Sequence, residues 1–96
     1  MSAQNDIEFR ARWREELEAI TPEGKLVFEM GAGVGTQVYF PNEQRWRAKA
    51  PPWALEQWQR YADACRAWCA QNRIRFSLEH DAHFHEERAA APKPAG

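Results

Sequence analysis

The chain of 96 residues is short of most features that mark a specialised protein class. It has only two cysteines, Cys65 and Cys69. At a spacing of four they stand one helical turn apart, where a bridge would constrain almost nothing, so a disulfide framework is excluded and a reducing compartment is expected. No apolar run approaches the roughly 20 residues that a membrane-spanning helix needs. No basic-then-apolar signal segment opens the sequence, and the expected location is the cytoplasm. Net charge is only −1, which argues against the strong basic excess usual in nucleic-acid domains. No nucleophile has a local catalytic signature. Paired carboxylates such as Glu15-Glu16 and Glu86-Glu87 fall where solvated charge explains them, leaving general acid–base chemistry without a seat.

What is present is an ordinary globular composition, 44% hydrophobic and 28% charged, on a chain long enough for one core. The charge is uneven. Residues 1–24 carry three arginines against six acids, residues 25–75 eight Lys/Arg against four, and residues 76–96 two against four. The middle is therefore +4 and the ends sum to −5.

Residues 53–72 hold the longest unbroken periodicity. Leu55, Trp58, Tyr61, Ala62, Cys65, Trp68 and Cys69 recur at steps of three and four, which predicts a helix with one apolar stripe. Pro51 and Pro52 precede it, as first-turn chemistry allows, and Asn72 is the expected left-handed residue at its end. An N-terminal helix is also expected: Asn5 and Glu8 have capping-box spacing, and Phe9, Trp13, Leu17 and Ile20 share a face. Thr21-Pro22-Glu23-Gly24 is a turn. Residues 25–30 and 36–40 alternate as strands joined in a hairpin by the glycine-rich residues 31–35. Residues 44–50 alternate Arg45, Arg47 and Lys49 with Trp46 and Ala48, which fits a short edge strand or an extended loop. Residues 73–78 form another strand, with Ile74, Phe76 and Leu78 on one face.

The expected fold is a small single α+β domain over residues 1–85, ordered helix–strand–strand–(strand)–helix–strand. Its sheet has three or four strands with two helices packed on one face. Leu26, Phe28, Val38, Phe40, Ile74 and Phe76 would meet the central helix. Residues 86–96 are expected to form a disordered tail.

The decapeptide VFEMGAGVGT, residues 27–36, resembles the first motif of S-adenosylmethionine-dependent methyltransferases, where a strand ends in an acidic residue and enters a G-x-G-x-G turn. The resemblance implies a cofactor site lined by Gly31, Gly33 and Gly35, with the preceding strand central in a parallel sheet. That motif continues into a helix. Here QVYFPNEQ follows, alternating as a strand and meeting Pro41, so no cofactor and no catalysis are expected. The element order is also similar to that of double-stranded RNA-binding domains, but Pro51-Pro52-Trp53 stands where those carry a glycine-rich loop with lysines. Cys65 and Cys69 with His80, His83 and His85 are zinc-ligand residue types. Both cysteines fall in the apolar stripe, where free Cys packs as a small hydrophobe, and no metal is expected.

The reading that follows is a non-catalytic interaction or regulatory module. It binds a protein partner through the open face or edge of the sheet, using Tyr39, Arg45, Trp46, Arg47, Lys49, Arg73 and Arg75. A homodimer through that edge uses the same features. A nucleic-acid-binding domain on the basic 45–75 region is the alternative. A minimal anion or S-adenosylmethionine-type site at residues 31–35 is the third.

Overall fold

The computed structural model describes residues 7–12, 15–31 and 36–87. It contains strands β1 (Glu8–Ala11), β2 (Glu16–Thr21), β3 (Gly24–Gly31) and β4 (Gln37–Pro41), then helix α1 (Glu43–Lys49). A 3-10 turn (Leu55–Gln57), helix α2 (Trp58–Gln71), β5 (Arg75–Glu79) and β6 (Phe84–Glu87) follow. The six strands form one mixed sheet in the order β1-β2-β3-β4-β5, with β6 also paired to β3. All pairings are antiparallel except β4 with β5, which run parallel across the α1–α2 connection.

The domain is α+β, but the expected helix-first order and three- or four-stranded sheet are wrong. The N-terminal helix is replaced by β1 and β2, with Glu8 opposite Ile20 and Ala11 opposite Leu17. Leu17, Ala19 and Thr21 are buried on alternate positions, a period of two that the step-of-four series Phe9, Trp13, Leu17 conceals. Tertiary pairing overrides the helix propensity of the glutamates here. The turn after Thr21 forms as expected, but it links two strands. Thr21 Oγ1 accepts from the N–H groups of Glu23 and Gly24.

Residues 44–49 are neither strand nor loop but helix, and Ala50 caps it in an extended conformation. Asn42 caps α1 by accepting from the Arg45 N–H at 2.9 Å, and Glu43 in the first turn with Arg47 and Lys49 in the last complement the helix dipole. The helix after it is shorter than the 53–72 periodicity suggests, since 53–57 make turns and one 3-10 segment. The left-handed residue is Arg73 (φ 58°), whereas Asn72 has φ −106° and donates its side-chain amide to Trp68 O. The sheet runs on to Glu87, so Glu86 and Glu87, assigned from sequence to the tail, lie in β6. Asn5, Trp13, the loop residues 32–35 and the rest of the tail are outside the described residues.

Both helices cover one face of the sheet. Leu26, Phe28, Met30, Val38 and Phe40 point into this layer with Trp46, Tyr61, Ala62, Cys65 and Cys69, and Ile74 and Phe76 pack against it, as the alternation of the strands and the α2 stripe predicts. Phe28, Phe40, Trp46 and Phe84 stack with centroid separations of 4.8–6.3 Å. Trp46 is fully buried and donates its indole N–H to Ala54 O at 2.9 Å, leaving no orphaned polar group. Trp53 lies flat on Gly24, where a Cβ would come within 2.6 Å of the indole. No helix among the described residues is long and apolar enough to cross a membrane.

Trp46→Ala removes the centre of the aromatic stack and the indole donor to the Ala54 carbonyl, which keeps only the Gln57 N–H. The expected cost is about 3–5 kcal/mol, read from the shift in urea midpoint with native-like circular dichroism retained in the absence of denaturant.

Candidate functional site

The sheet face opposite the helices carries the side chains that alternate with the core. Directly opposed residues share a face, so Glu16, Glu29, Tyr39 and Ser77 form one row across β2, β3, β4 and β5. Glu18, Val27 and His85 form a second, and Ile20, Lys25 and Glu87 a third.

In one part of this face two cations pair with three carboxylates. Arg12 donates from Nε to Glu16 at 2.9 Å, from Nη1 to Glu18 at 2.9 Å, and to both oxygens of Glu87 at 2.6 and 3.0 Å. Lys25 lies 3.5 Å from Glu18 and 3.3 Å from Glu87. Glu18 is 5% exposed, a burial that a carboxylate tolerates only when paired. The hydrogen bonds that it donates to Glu87 and Glu16 hold the Arg12 guanidinium above its ordinary range. The Arg12 hydrogen bonds, against some loss of solvation, hold the Glu87 carboxyl down at about 2. The cluster ties the segment after β1 to β2, β3 and β6, so its chemistry is structural.

The other part is a groove. Along β3 the neighbouring strand changes between Phe28, which faces Phe84 of β6, and Glu29, which faces Tyr39 of β4. Two hollows open at this fork, of about 230 Å³ and 260 Å³, and both are lined by Glu29 and His83. Glu15, Glu16 and His85 line the first; Tyr39, Glu79 and Asp81 line the second. The His83 N–H approaches Glu29 Oε1 at 3.4 Å, joining residues 54 apart in sequence. The Tyr39 ring lies across Gly31, where a Cβ would stand 2.8 Å from it. Among the described residues Glu15, Glu29, Glu79 and Asp81 make no ion pair. Glu79 accepts from the Ser77 hydroxyl at 2.9 Å. The groove is half-open, with Val27 and Phe28 in its lining, carboxylates as its charged groups, and one phenol and two imidazoles at its rim.

The residues singled out from sequence do not converge. Tyr39 lines the groove. Trp46 is in the core. Arg45, Arg47 and Lys49 are on α1: Arg45 donates to Ala82 O at 3.0 Å, Arg47 pairs with Glu43 at 3.4 Å, and Lys49 is exposed. Arg73 and Arg75 are exposed at the start of β5, whose other end adjoins α1 through Glu79 and Asn42. The length of β5, about 13 Å at the usual strand rise, separates the two basic groups. Gly31 ends β3, and β4 returns antiparallel to it, so the parallel strand-turn-helix frame of the methyltransferase motif is not formed. Cys65 and Cys69 are buried while His80, His83 and His85 are exposed. The Cys69 contact and burial push the Cys65 thiol up. Among the described residues no group of three or more His, Cys, Asp or Glu is arranged to hold a metal ion.

Sequence reading passed over Asp81, took Glu29 only as the acid of the glycine motif and His83 only as a zinc-ligand type, and did not bring the three together. The alternation of Lys25, Val27 and Glu29 does put Glu29 on the face opposite Phe28, but its meeting with His83 depends on the β3–β6 pairing. No family model matches the chain, and neither a curated protein nor a solved structure shows significant similarity to it.

Glu87 has a folded-state value below its ordinary 4.5, so its contribution to stability is present above 4.5 and is lost as pH falls toward about 2. Urea midpoints of the wild type should decline through this window. Glu87→Gln should be less stable at neutral pH and show a flatter decline.

Proposed function

We propose that this chain is a small, non-catalytic interaction module that takes a protein segment carrying lysine or arginine along the groove at Glu29. The observation that carries this reading is the pairing state of the charges. Arg12, Lys25 and Arg47 are engaged by the chain's own carboxylates. Glu15, Glu29 and Asp81 line the two hollows, which share Glu29 and His83, without an ion-pair partner among the described residues. A concave anionic surface attracts cations and repels phosphate, which favours a basic peptide over nucleic acid. Tyr39 supplies a rigid amphipathic ring at the rim, the kind of side chain that anchors protein interfaces. The separation of the α1 basic residues from Arg73 and Arg75 further weakens the nucleic-acid alternative, since neither group alone makes a continuous phosphate track. The cytoplasm is the compartment this reading assigns, in keeping with two free thiols.

The test is fluorescence anisotropy with a labelled arginine- and lysine-rich peptide, a matched acidic peptide and an oligonucleotide. Binding of the basic peptide alone, weakening as salt is raised, is expected. Glu29→Gln with Asp81→Asn should weaken it about tenfold, two screened charge contacts being lost. Preference for the oligonucleotide, or basic-peptide binding that ignores the double substitution, would overturn the reading.

A further inference from the structure

The outer edge of β5 adjoins the groove and shares Glu79 with it, but the inference drawn from that edge does not rest on the groove reading. Among the described residues β5 is the last strand of the sheet path, with β4 on one side only. The Arg75 N–H donates to Thr36 O at 3.1 Å and the Glu79 carbonyl accepts from the Asn42 N–H at 3.0 Å, so both residues direct their backbone groups toward β4. Strand alternation places Ser77 with them and leaves the N–H and C=O groups of Phe76 and Leu78 pointing outward. Leu78 is 42% exposed, the large hydrophobic side chain that stands out on this surface.

The sequence of this edge is self-complementary. β5 reads Arg75-Phe76-Ser77-Leu78-Glu79. Laid antiparallel against itself about Ser77, it sets Arg75 opposite the partner's Glu79, Phe76 opposite the partner's Leu78, and Ser77 opposite the partner's Ser77. Two-fold symmetry repeats the first two pairs. Each contact has the right chemistry: opposite charges face each other, and apolar faces apolar. The backbone agrees with the side chains. Phe76 and Leu78 are the residues with free outward groups, and this register opposes them as hydrogen-bonded pairs, each exchanging its N–H and C=O. Phe76 and Leu78 align with Val38 and Phe40 on the helix-covered face, so the exposed Leu78 side chain would be covered by the partner's Phe76. Arg75 and Glu79 align with Gln37 and Pro41 on the open face, where their pairing would be accessible to solvent.

We propose that the chain forms a two-fold homodimer by antiparallel pairing of β5 with the β5 of a second copy, in the register that opposes Arg75 to the partner's Glu79. Five residues make a short junction, so the dimer is reversible and concentration-dependent. An exposed, unpaired and partly apolar edge is otherwise a site of indiscriminate association; the charge pattern restricts it to one register.

Sedimentation equilibrium of the full chain over a range of concentrations tests this. Wild type should pass from monomer to dimer. Arg75→Glu alone and Glu79→Arg alone each oppose like charges and should weaken dimerisation about tenfold. An equimolar mixture of the two variants restores both charge pairs between unlike chains and should associate at least as well as wild type. Leu78→Pro, at an edge position whose N–H faces away from the sheet, should fold with native circular dichroism and remain monomeric. A wild type that stays monomeric at millimolar concentration overturns the proposal. So do single charge variants that dimerise as wild type does, or a mixture that does not recover. Because none of these readouts involves a basic peptide, failure here leaves the groove reading standing.

Discussion

Strand β3 has to satisfy three neighbours with two edges. β2 takes one edge along Gly24 to Glu29. The other edge is divided, Lys25 to Phe28 going to β6 and Glu29 to Gly31 to β4. The change falls between two adjacent residues that point to opposite faces. On the helix side, Phe28 lies where both branches meet, and its ring touches Phe84 from one branch and Phe40 from the other. Trp46 of α1 then closes the stack over both. On the open side, Glu29 stands where the branches part, and the gap becomes the groove. Core and candidate site are thus two sides of one pairing constraint.

The charges follow the same division. Below the fork, toward Lys25, the branch formed by β6 is held to β2 through Arg12, whose guanidinium bridges Glu18 and Glu87. Exposed ion pairs contribute little, and most of this cluster is partly exposed. Glu18 is the exception: with so little exposure, removal of Arg12 would leave a buried carboxylate with Lys25 as its one ion-pair partner among the described residues, which is costly. Above the fork the carboxylates have no such internal partners among the described residues. Net charge alone conceals this, because −1 for the chain also counts the basic residues of α1, α2 and β5.

What the sequence made legible depended on how local the signal was. The β3–β4 hairpin and the α2 stripe are written in contiguous alternation and three-four spacing, and both formed. The burial of Cys65 and Cys69 followed from the same stripe. The N-terminal segment was misread because its glutamates and the Phe9, Trp13, Leu17 spacing suit a helix, while the decisive fact, pairing of Leu17 with Phe28, lies in another strand. Helix α1 spans too few residues for its period to be distinguished from alternation, and its clearest sign was the Asn42 cap. β6 reads Phe-His-Glu-Glu, polar enough to pass for tail; only Phe84 stacked on Phe28 and Trp46 explains its place. For the site, Tyr39 could be assigned to the open face by its alternation with Val38 and Phe40. Trp46 could not be separated from the arginines beside it until the helix turned it inward.

The helix-covered face has little recognition capacity left, because its large side chains are consumed by one another. Capacity remains where pairing stops. At the fork, β4 and β6 diverge and leave carboxylates that their own strands do not neutralise. At β5, the sheet ends with hydrogen-bonding groups and one apolar side chain turned outward. These two places differ in kind: the first selects by charge over an irregular hollow, the second by register along a regular edge. A small domain with a single core can therefore present two separable surfaces without enlarging the core, since each uses valences that the sheet topology itself leaves open.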